Sequence, residues 1–257
     1  MESKLFLWSG NAMFIGSLDQ TNFHKHHALQ ITIGLNEPFI LKLKNKQVIE
    51  SQAVVIAPNT SHAFEGRKED SLFIYLDPNG HQAQWIIKKV LDGNEKLSLE
   101  KSTIRPHLMT LLNSIGTVKN CKDNLISLNQ FLENTFGIKK MDYAPDSRVQ
   151  KTITLIDENI SKVVRVKRLA ETVHLSESRL IHLFKKHRGL PIRRFILWKR
   201  IQLAINSIIS GHNITQAAHQ AGFSDSAHFS RTFMEMFGVK ASEIFNRKNN
   251  IKIRNCF

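Results

Sequence analysis

The spacing of the hydrophobic residues divides the chain into a strand-like part followed by helical parts. Between residues 5 and 77, short β-branched or aromatic runs alternate with clusters of turn residues. Short strands at such close spacing predict a small β-barrel or jelly roll, whose interior can hold one small ligand. The clearest runs are Gln30–Leu35, Phe39–Leu43, Ala53–Ala57 and Leu72–Leu76.

From His81 onward the apolar residues recur at helical spacing. A short amphipathic helix is predicted over Gln84–Leu91, and a helical hairpin that caps the barrel is predicted over Ile104–Val118 and Asn124–Phe136. Residues 137–147 contain Pro145, which prevents a continuous helix there. We therefore predict a sensor domain at 1–136, a linker at 137–147 and a second domain at 148–250.

The second domain contains one helical pattern twice, from Val166 to Gly189 and from Ile214 to Gly238. Each copy predicts a short helix, a tight turn and a second helix, which is a helix-turn-helix unit. Further helices are predicted over Arg148–Ile160 and over Ile192–Ser210, the latter joining the two copies. The predicted fold is thus α+β with two domains, the second of them all-α.

Small and capping residues support this pattern. Ala170 and Ala218 let the second helix of each copy cross the first closely, and Leu175 or Phe223 closes the turn. Ser176 and Ser224 are the predicted N-caps of the two second helices, because a serine oxygen can accept a free N–H at a helix start.

The positive charge is concentrated in the same part of the chain. The net charge is +14, and residues from Asp146 onward carry 20 basic and 8 acidic residues, or +12. The preceding part carries 16 basic and 14 acidic residues, or +2. This asymmetry indicates a polyanion partner for the second domain alone.

Residues 148–247 resemble the DNA-binding domain of the AraC/XylS family of transcription regulators. The second copy carries the more specific motif: Gly222-Phe223, Asp225, Phe229-Ser230-Arg231, Phe233 and Phe237-Gly238. Ala241 stands where the family usually has proline, and His228 where it often has tyrosine. The resemblance implies two reading helices about one DNA turn apart, roughly 34 Å.

Exposed positions near the start of each second helix are the predicted base contacts, and Arg231 is the leading one because its planar fork can pair with guanine. Other basic residues are predicted to contact phosphates, which fixes register without reading sequence. The predicted base contacts are Ser178, Arg179, Ile181, His182, Ser226, Ala227, His228, Ser230 and Arg231. The predicted phosphate contacts are Lys185, Lys186, Arg188, Arg193, Arg194 and Arg200.

The first domain resembles the cupin-like sensor domain of the same family in its run from His24 to Gln30 and in Pro58-x3-His62. The cupin carboxylate after the HxH pair is absent, so we predict no metal and no cofactor. The histidines are predicted to contact a small-molecule effector or to respond to pH, and the alternative is that their hydrogen bonds are purely structural. Trp8 is a lid over that effector or, alternatively, part of a first strand. The predicted effector contacts are Trp8, His24, His26, His27, Gln30 and His62.

Cys121 and Cys256 are the two cysteines, far apart in sequence, so neither a disulfide framework nor a CxxC metal site is predicted. Reduced cytoplasm fits this usage. The apolar run Leu5–Trp8 is too short for a signal sequence, and no stretch is long enough to span a membrane, so no membrane partner is expected.

Together these observations predict a cytoplasmic, sequence-specific, non-enzymatic transcription regulator bound to double-stranded DNA. The resemblance implies activation, RNA polymerase as a partner, and a homodimer formed through the helical hairpin. Two other functions stay open: a metal-dependent cupin enzyme fused to a DNA-binding domain, and a DNA binder without an effector.

Overall fold

A computed structural model describes residues 3–8, 11–117, 120–139, 146–245 and 251–256. They form two compact units. The strand-rich unit contains the described residues up to 139 together with 251–256, and the helical unit contains most of residues 146–245. The two-domain α+β architecture predicted from the sequence is therefore confirmed. Pro145 of the predicted linker lies outside the described residues.

The strand-rich unit contains two sheets. Its strands are β1 (Lys4–Trp8), β2 (Asn11–Ser17), β3 (Leu29–Gly34), β4 (Phe39–Leu43), β5 (Val48–Ser51), β6 (Ala53–Ile56), β7 (His62–Glu65), β8 (Asp70–Leu76), β9 (Lys96–Ser98) and β10 (Lys252–Asn255). Within the described part, one sheet has the order β10-β1-β2-β8-β3-β6-β9 and the other β5-β4-β7. Neighbouring strands are antiparallel, apart from β1 and β10, which are parallel.

Alternation along the strands produces two hydrophobic cores. In β8, Leu72, Ile74 and Leu76 enter a core that also contains residues of the helices between residues 81 and 136, whereas Phe73 enters a second core with Phe64 of β7. The period of two places successive side chains on opposite faces of the larger sheet. One face is therefore covered by helices and the other by side chains of the smaller sheet.

The helices of this unit follow the predicted ones closely. Helix α1 (His81–Trp85) continues as a π-helix over Ile86–Leu91, and the hairpin consists of α2 (Lys101–Thr117) and α3 (Cys121–Phe136). The Asn120 side chain caps α3 by accepting the backbone N–H of Asp123 at 2.9 Å. No helix among the described residues is long and apolar enough to cross a membrane.

The chain returns to the strand-rich unit after the helical unit. Strand β10 pairs in parallel with β1, in the register Lys4–Lys252 to Leu7–Asn255. Beside it, Cys256 forms a disulfide with Cys121 at the start of α3, across a sequence separation of 135. The sequence-based expectation of no disulfide was wrong, because the β1–β10 pairing brings together two cysteines that spacing alone leaves unrelated.

The helical unit has the order predicted from the repeat. Its helices are α4 (Ser147–Glu158), α5 (Val166–Thr172), α6 (Glu177–Arg188), α7 (Ile192–Ile209), α8 (Ile214–Gln220), α9 (Ser226–Phe237) and α10 (Ala241–Ile244). Leu180 and Phe184 of α6 are fully buried against Phe195 of α7 and the apolar side of α4. Ala217, Ala218, Phe229 and Phe233 are the corresponding buried residues of the second copy.

Candidate functional site: two helix-turn-helix units and a buried histidine cluster

The two turns have the same backbone conformation. His174 in the first and Gly222 in the second both adopt left-handed φ angles, of 55° and 81°. The next residue then donates its N–H back into the first helix, from Leu175 to Ala170 at 2.9 Å and from Phe223 to Ala218 at 3.0 Å. Matching bonds at matching positions show that the sequence repeat is also a structural repeat.

Glycine at position 222 has a packing reason in addition to its φ angle. A Cβ atom there would lie 2.9 Å from the carbonyl oxygens of both Ile160 and Ser161. That distance is shorter than side-chain carbon atoms tolerate, and left-handed backbone itself disfavours residues other than glycine. The turn of the second unit can therefore pack closely on the loop after α4.

The caps of the two reading helices α6 and α9 differ. The Ser176 hydroxyl accepts the backbone N–H of Arg179 at 3.3 Å, as predicted. In α9 the cap is Asp225, whose Oδ1 accepts the N–H of His228 at 2.6 Å, so the prediction of Ser224 was wrong by one residue. The residue inserted between the two copies precedes the cap, which moves the cap to the next position.

Ser224 supports the cap from outside. Its hydroxyl donates to Asp225 Oδ2 at 3.0 Å. The backbone N–H of His228 and the Ser224 hydroxyl hold the pKa of Asp225 below its usual value, and the nearby positive charge of Arg231 acts in the same direction. A charged cap at a helix start is also favoured by the helix dipole.

Most of the predicted base-contact residues are exposed on α6 and α9. Ser226 and His228 are half-buried. The His228 ring packs edge-on against Phe223 at 5.2 Å and its Nδ1 lies 3.2 Å from the Ser224 hydroxyl, so this ring supports the cap. The exposed members are Ser178, Arg179, Ile181, His182, Ala227, Ser230 and Arg231.

Of the predicted phosphate contacts, four are exposed and two, Arg188 and Arg200, are half-buried. Lys185, Lys186 and Arg193 are exposed, and exposed Arg194 pairs with Glu235 at 3.0 Å. Arg188 lies over the Phe195 ring, 5.2 Å from its centroid.

Arg200 is different from the other five. It donates from Nε to the Ile160 carbonyl at 3.1 Å and from Nη2 to the Lys162 carbonyl at 2.8 Å. Burial lowers its pKa. Its guanidinium holds the loop after α4, a role that the sequence reasoning missed.

A basic groove of about 870 Å³ lies within the helical unit. Two of the predicted phosphate contacts, Arg193 and Arg200, line this groove. The sequence reasoning missed three further cations in its lining because it searched only the second helices and α7 for phosphate contacts. These are Lys162, Arg165 and Lys167, at and before the start of α5.

In the strand-rich unit the structure brings together four of the predicted effector residues: His24, His26, His62 and Gln30. His62 begins β7 in the smaller sheet, Gln30 lies in β3 of the larger sheet, and His24 forms an isolated bridge with His62. All four are at most 6% exposed. His24, His26 and His62 each contribute one ring nitrogen to a group of three that lie within 4.8 Å of one another. Together these three nitrogens could hold a metal ion.

Burial keeps these imidazoles neutral. It lowers the pKa of His26 to about 3, with His24 adding a smaller repulsion, and lowers the pKa of His62 well below its usual value. Burial likewise lowers the pKa of His24. Charging one ring in this cluster is costly because each is removed from water and lies beside others.

The other two predicted effector residues stand apart from these four. His27 is buried but is not one of the three clustered ligands. Trp8 is 4% exposed in β1, stacks on Phe6 and donates from Nε1 to the Cys121 carbonyl at 3.2 Å. The alternative that placed Trp8 in a first strand is the one that the structure shows.

A second location for a ligand was not predicted from the sequence. A cavity of about 400 Å³ lies between the end of β3 and helix α2, and none of the predicted effector residues lines it. Its lining is mainly apolar, with Leu35, Leu108 and Leu112, and it includes the cations Lys101 and Arg105. Apolar walls with a few polar groups are typical of small-molecule sites.

Comparison with known proteins agrees with this geometry. A family model described as a helix-turn-helix domain matches residues 169–247. The probable transcriptional regulator LumQ of Photobacterium leiognathi is 25% identical over 239 residues, which cover 88% of this chain and 92% of LumQ. The arabinose operon regulatory protein of Escherichia coli is 24% identical over 189 residues, which cover 70% of this chain and 65% of that protein.

Among solved structures, unsaturated fatty acid bound ToxT from Vibrio cholerae is similar in fold, with a TM-score of 0.60 at 16% identity. The match covers 91% of this chain and 94% of ToxT. The helix-turn-helix match and the relatives agree with the repeated motif, so the helical unit carries an AraC-type helix-turn-helix domain and the chain is similar to transcription regulators over most of its length.

Proposed function

We propose that this protein is a sequence-specific activator of transcription that places α6 and α9 in successive major grooves of one DNA duplex. The observation that carries this proposal is the repeated turn, in which His174 and Gly222 share one conformation and the same hydrogen bond follows each. A recognition helix that follows such a turn presents its N-terminal residues to base edges. The resemblance to AraC-type regulators favours activation and RNA polymerase as a partner, and a DNA-binding role would place the protein in the cytoplasm.

The exposed residues of the two reading helices would then have separate roles. Arg231 would read a guanine through its two-pronged guanidinium, and Ile181, which is 39% exposed, would contact a thymine methyl group. Lys185, Lys186 and Arg193 would contact phosphates, together with Arg165 and Lys167 in the basic groove. Ser178, Arg179, His182, Ala227 and Ser230 complete the proposed reading surface.

The strand-rich unit would sense a small molecule, and the 400 Å³ cavity beside α2 supports this role. Its apolar lining with Lys101 and Arg105 suits an apolar ligand that carries a negative group. ToxT, which shares the fold, is described as binding an unsaturated fatty acid. The effector of this chain would accordingly be an amphipathic carboxylic acid.

The α2–α3 hairpin is the proposed homodimer surface. Met109 of α2 and Ile126 of α3 are large apolar side chains that are 50% and 45% exposed. Sedimentation of the wild type and of a Met109→Lys, Ile126→Lys variant tests it. A dimer in the first sample and a folded monomer in the second are expected, and unchanged sedimentation would contradict the proposal.

The function is tested by selecting bound DNA from a random pool with the full chain and footprinting the selected site. A defined protected stretch spanning two neighbouring major grooves is expected, and uniform binding to all sequences would instead indicate an effector-independent architectural protein. Repeating the footprint and an in vitro transcription assay with a series of fatty acids tests effector control. Catalytic turnover of such a compound would favour the cupin-enzyme alternative.

A further inference from the structure

The hydrogen bonds of the histidine cluster fix which ring nitrogen carries the proton. Each of the three rings has its Nδ1 within hydrogen-bond distance of a backbone carbonyl oxygen, which can only accept. Each Nδ1 is therefore the protonated atom of a neutral ring, and each Nε2 presents a lone pair. The three bonds run from His24 to Asn22 (2.8 Å), from His26 to Ala28 (3.0 Å) and from His62 to Thr60 (2.9 Å).

Two of these lone pairs, those of His26 and His62, face a further acceptor, the side-chain oxygen of Gln30. Gln30 Oε1 lies 2.6 Å from His26 Nε2 and 3.2 Å from His62 Nε2. The Gln30 amide is oriented by its Nε2, which donates to the Thr32 hydroxyl at 2.8 Å. With the rings in this tautomer, acceptors face one another in a buried space, an arrangement that a cation between them would stabilise.

We propose that His24, His26 and His62 bind one divalent transition-metal ion, of which Zn²⁺ is the best match, with Gln30 Oε1 as the fourth ligand. Imidazole nitrogen is a preferred ligand of zinc, and four-coordinate sites are its usual geometry. Zinc–nitrogen bonds of about 2.0–2.1 Å place tetrahedral ligands roughly 3.4 Å apart. Ring nitrogens that already lie within 4.8 Å of one another need only small side-chain adjustments to reach this spacing.

The surrounding hydrogen bonds are those expected of a metal site. Histidine ligands almost always donate their other ring N–H to a carbonyl or carboxylate, which fixes the ring orientation. Here all three rings are fixed in this way before any ion is bound. The sequence pattern did not predict a metal because it lacks the usual carboxylate, but the geometry supplies an amide oxygen at that place.

The position of the site gives the ion a structural effect. His62 begins β7 of the smaller sheet, and Gln30 belongs to β3 of the larger one. The backbones of His24 and His62 exchange two hydrogen bonds of 3.0 Å. A bound ion would therefore cross-link the two sheets and the loop between β2 and β3. This inference concerns the strand-rich unit and does not rest on DNA binding or on the proposed effector.

Zinc binding to the full chain is the direct test. The protein is stripped with a chelator, and Zn²⁺ is titrated in competition with a chromophoric chelator. We expect one tight site per chain, with affinity reduced at least about 10-fold in His26→Gln and in His62→Gln, since even changes outside the ligand set cost that much. The control His81→Gln removes an exposed histidine of α1 and should leave the tight site unchanged.

A second measurement keeps the test decisive if a variant fails to fold. X-ray absorption of the zinc-loaded wild type should show nitrogen and oxygen ligands at about 2.0–2.1 Å with imidazole scattering. Absence of a tight site in the wild type would overturn the proposal, as would equal affinity in the folded His26→Gln, His62→Gln double variant. In that case the Gln30 amide is reversed, so that its NH2 group donates to the Nε2 atoms of His26 and His62. NMR spectra of the histidine rings would then show hydrogen-bonded Nε2 atoms whose signals do not change when zinc is added.

Discussion

The carboxylate of Asp225 accepts the backbone N–H of His228 at 2.6 Å and so fixes the first turn of α9. The corresponding bond in α6 runs from Arg179 to the uncharged hydroxyl of Ser176 at 3.3 Å. The second reading helix therefore begins with a shorter, charge-assisted cap. Since the proposed base contacts lie in that first turn and the next one, the two caps determine how rigidly each reading surface is held.

Removing the caps should have unequal effects. Ser176→Ala should destabilise the helical unit by about 1 kcal/mol, which is typical of a lost N-cap. Asp225→Ala should lower the unfolding midpoint further, because it removes the charge together with the acceptor. Denaturant unfolding followed by far-UV circular dichroism measures both. Ser224→Ala is the matched control, and a loss from it as large as that from Asp225→Ala would contradict the assignment of the cap.

The acid stability of these helix starts should follow from the lowered carboxyl pKa values. The N–H of His228 lowers the pKa of Asp225, and the side chain of Arg148 lowers that of Asp146, the cap of α4. A carboxyl whose pKa is lower in the folded state stabilises the fold above the ordinary value of 3.8. That stabilisation is lost as the pH falls through the lower, folded value.

Amide hydrogen exchange of α4 and α9 as a function of pH measures this effect. After correction for intrinsic rates, protection should hold at pH 5 and decrease below about pH 3.8. In an Asp146→Asn, Asp225→Asn variant, the part of the decrease due to these groups should disappear. An acid response identical to that of the wild type would mean that other carboxyl groups cause it.

The two turns should respond in opposite directions to substitution. Gly222→Ala forces a Cβ atom to within 2.9 Å of two carbonyl oxygens in a left-handed backbone, so it should destabilise the helical unit by at least about 1–2 kcal/mol. His174→Gly relieves the left-handed cost in the first turn and should stabilise by up to about 1 kcal/mol. Urea unfolding of the two variants checks both signs, and a stable Gly222→Ala protein would disprove the packing argument.

Arg231→Ala should weaken binding to the selected DNA site by about 1–3 kcal/mol and relax preference at one base pair. The reason is that an arginine paired with a guanine discriminates among bases, whereas a phosphate contact does not. Fluorescence anisotropy with the selected site and single-base variants of it measures the change.

Lys186→Ala is the matched comparison for Arg231→Ala, since both side chains are exposed on a reading helix. It should weaken all sequences equally and lower the slope of log K against log salt by about one unit. If Arg231→Ala behaves in the same way as Lys186→Ala, then Arg231 contacts a phosphate.

The disulfide should stabilise the strand-rich unit. Cys256→Ser opens a covalent loop with a sequence separation of 135 and should cost about 2–4 kcal/mol. Because Trp8 donates to the Cys121 carbonyl beside the disulfide, its fluorescence should report the change. Reductant should bring the wild type to the stability of the variant, and no response of the wild type to reductant would show that the bond is not formed in solution.

The sequence predicted best where local signals suffice. Strand β4 was predicted over Phe39–Leu43, as observed, because bulky apolar residues alternate there between clear turns. Strand β7 (His62–Glu65) was missed, since four residues without a β-branched side chain give little signal. Strand β10 was missed for a different reason: it exists through its pairing with β1, which lies about 250 residues earlier in the chain.

The candidate sites show the same division. Exposure of Arg231 and Lys186 followed from helical periodicity, whereas the role of Arg200 depends on two carbonyl groups in a loop some 40 residues away. The histidine pattern indicated a polar cluster, but the tautomers that make it a ligand set are determined by backbone carbonyls. Those carbonyls are placed by the fold, so no pattern of residue types could reveal them.

Because β10 pairs with β1, the chain leaves the strand-rich unit after α3, forms the helical unit and then returns to the larger sheet. A fragment cut after residue 245 would deprive β1 of one neighbour and Cys121 of its bonded sulfur. A sensor half expressed without residues 252–256 would thus differ from its counterpart in the intact protein, lacking both a strand and a covalent cross-link.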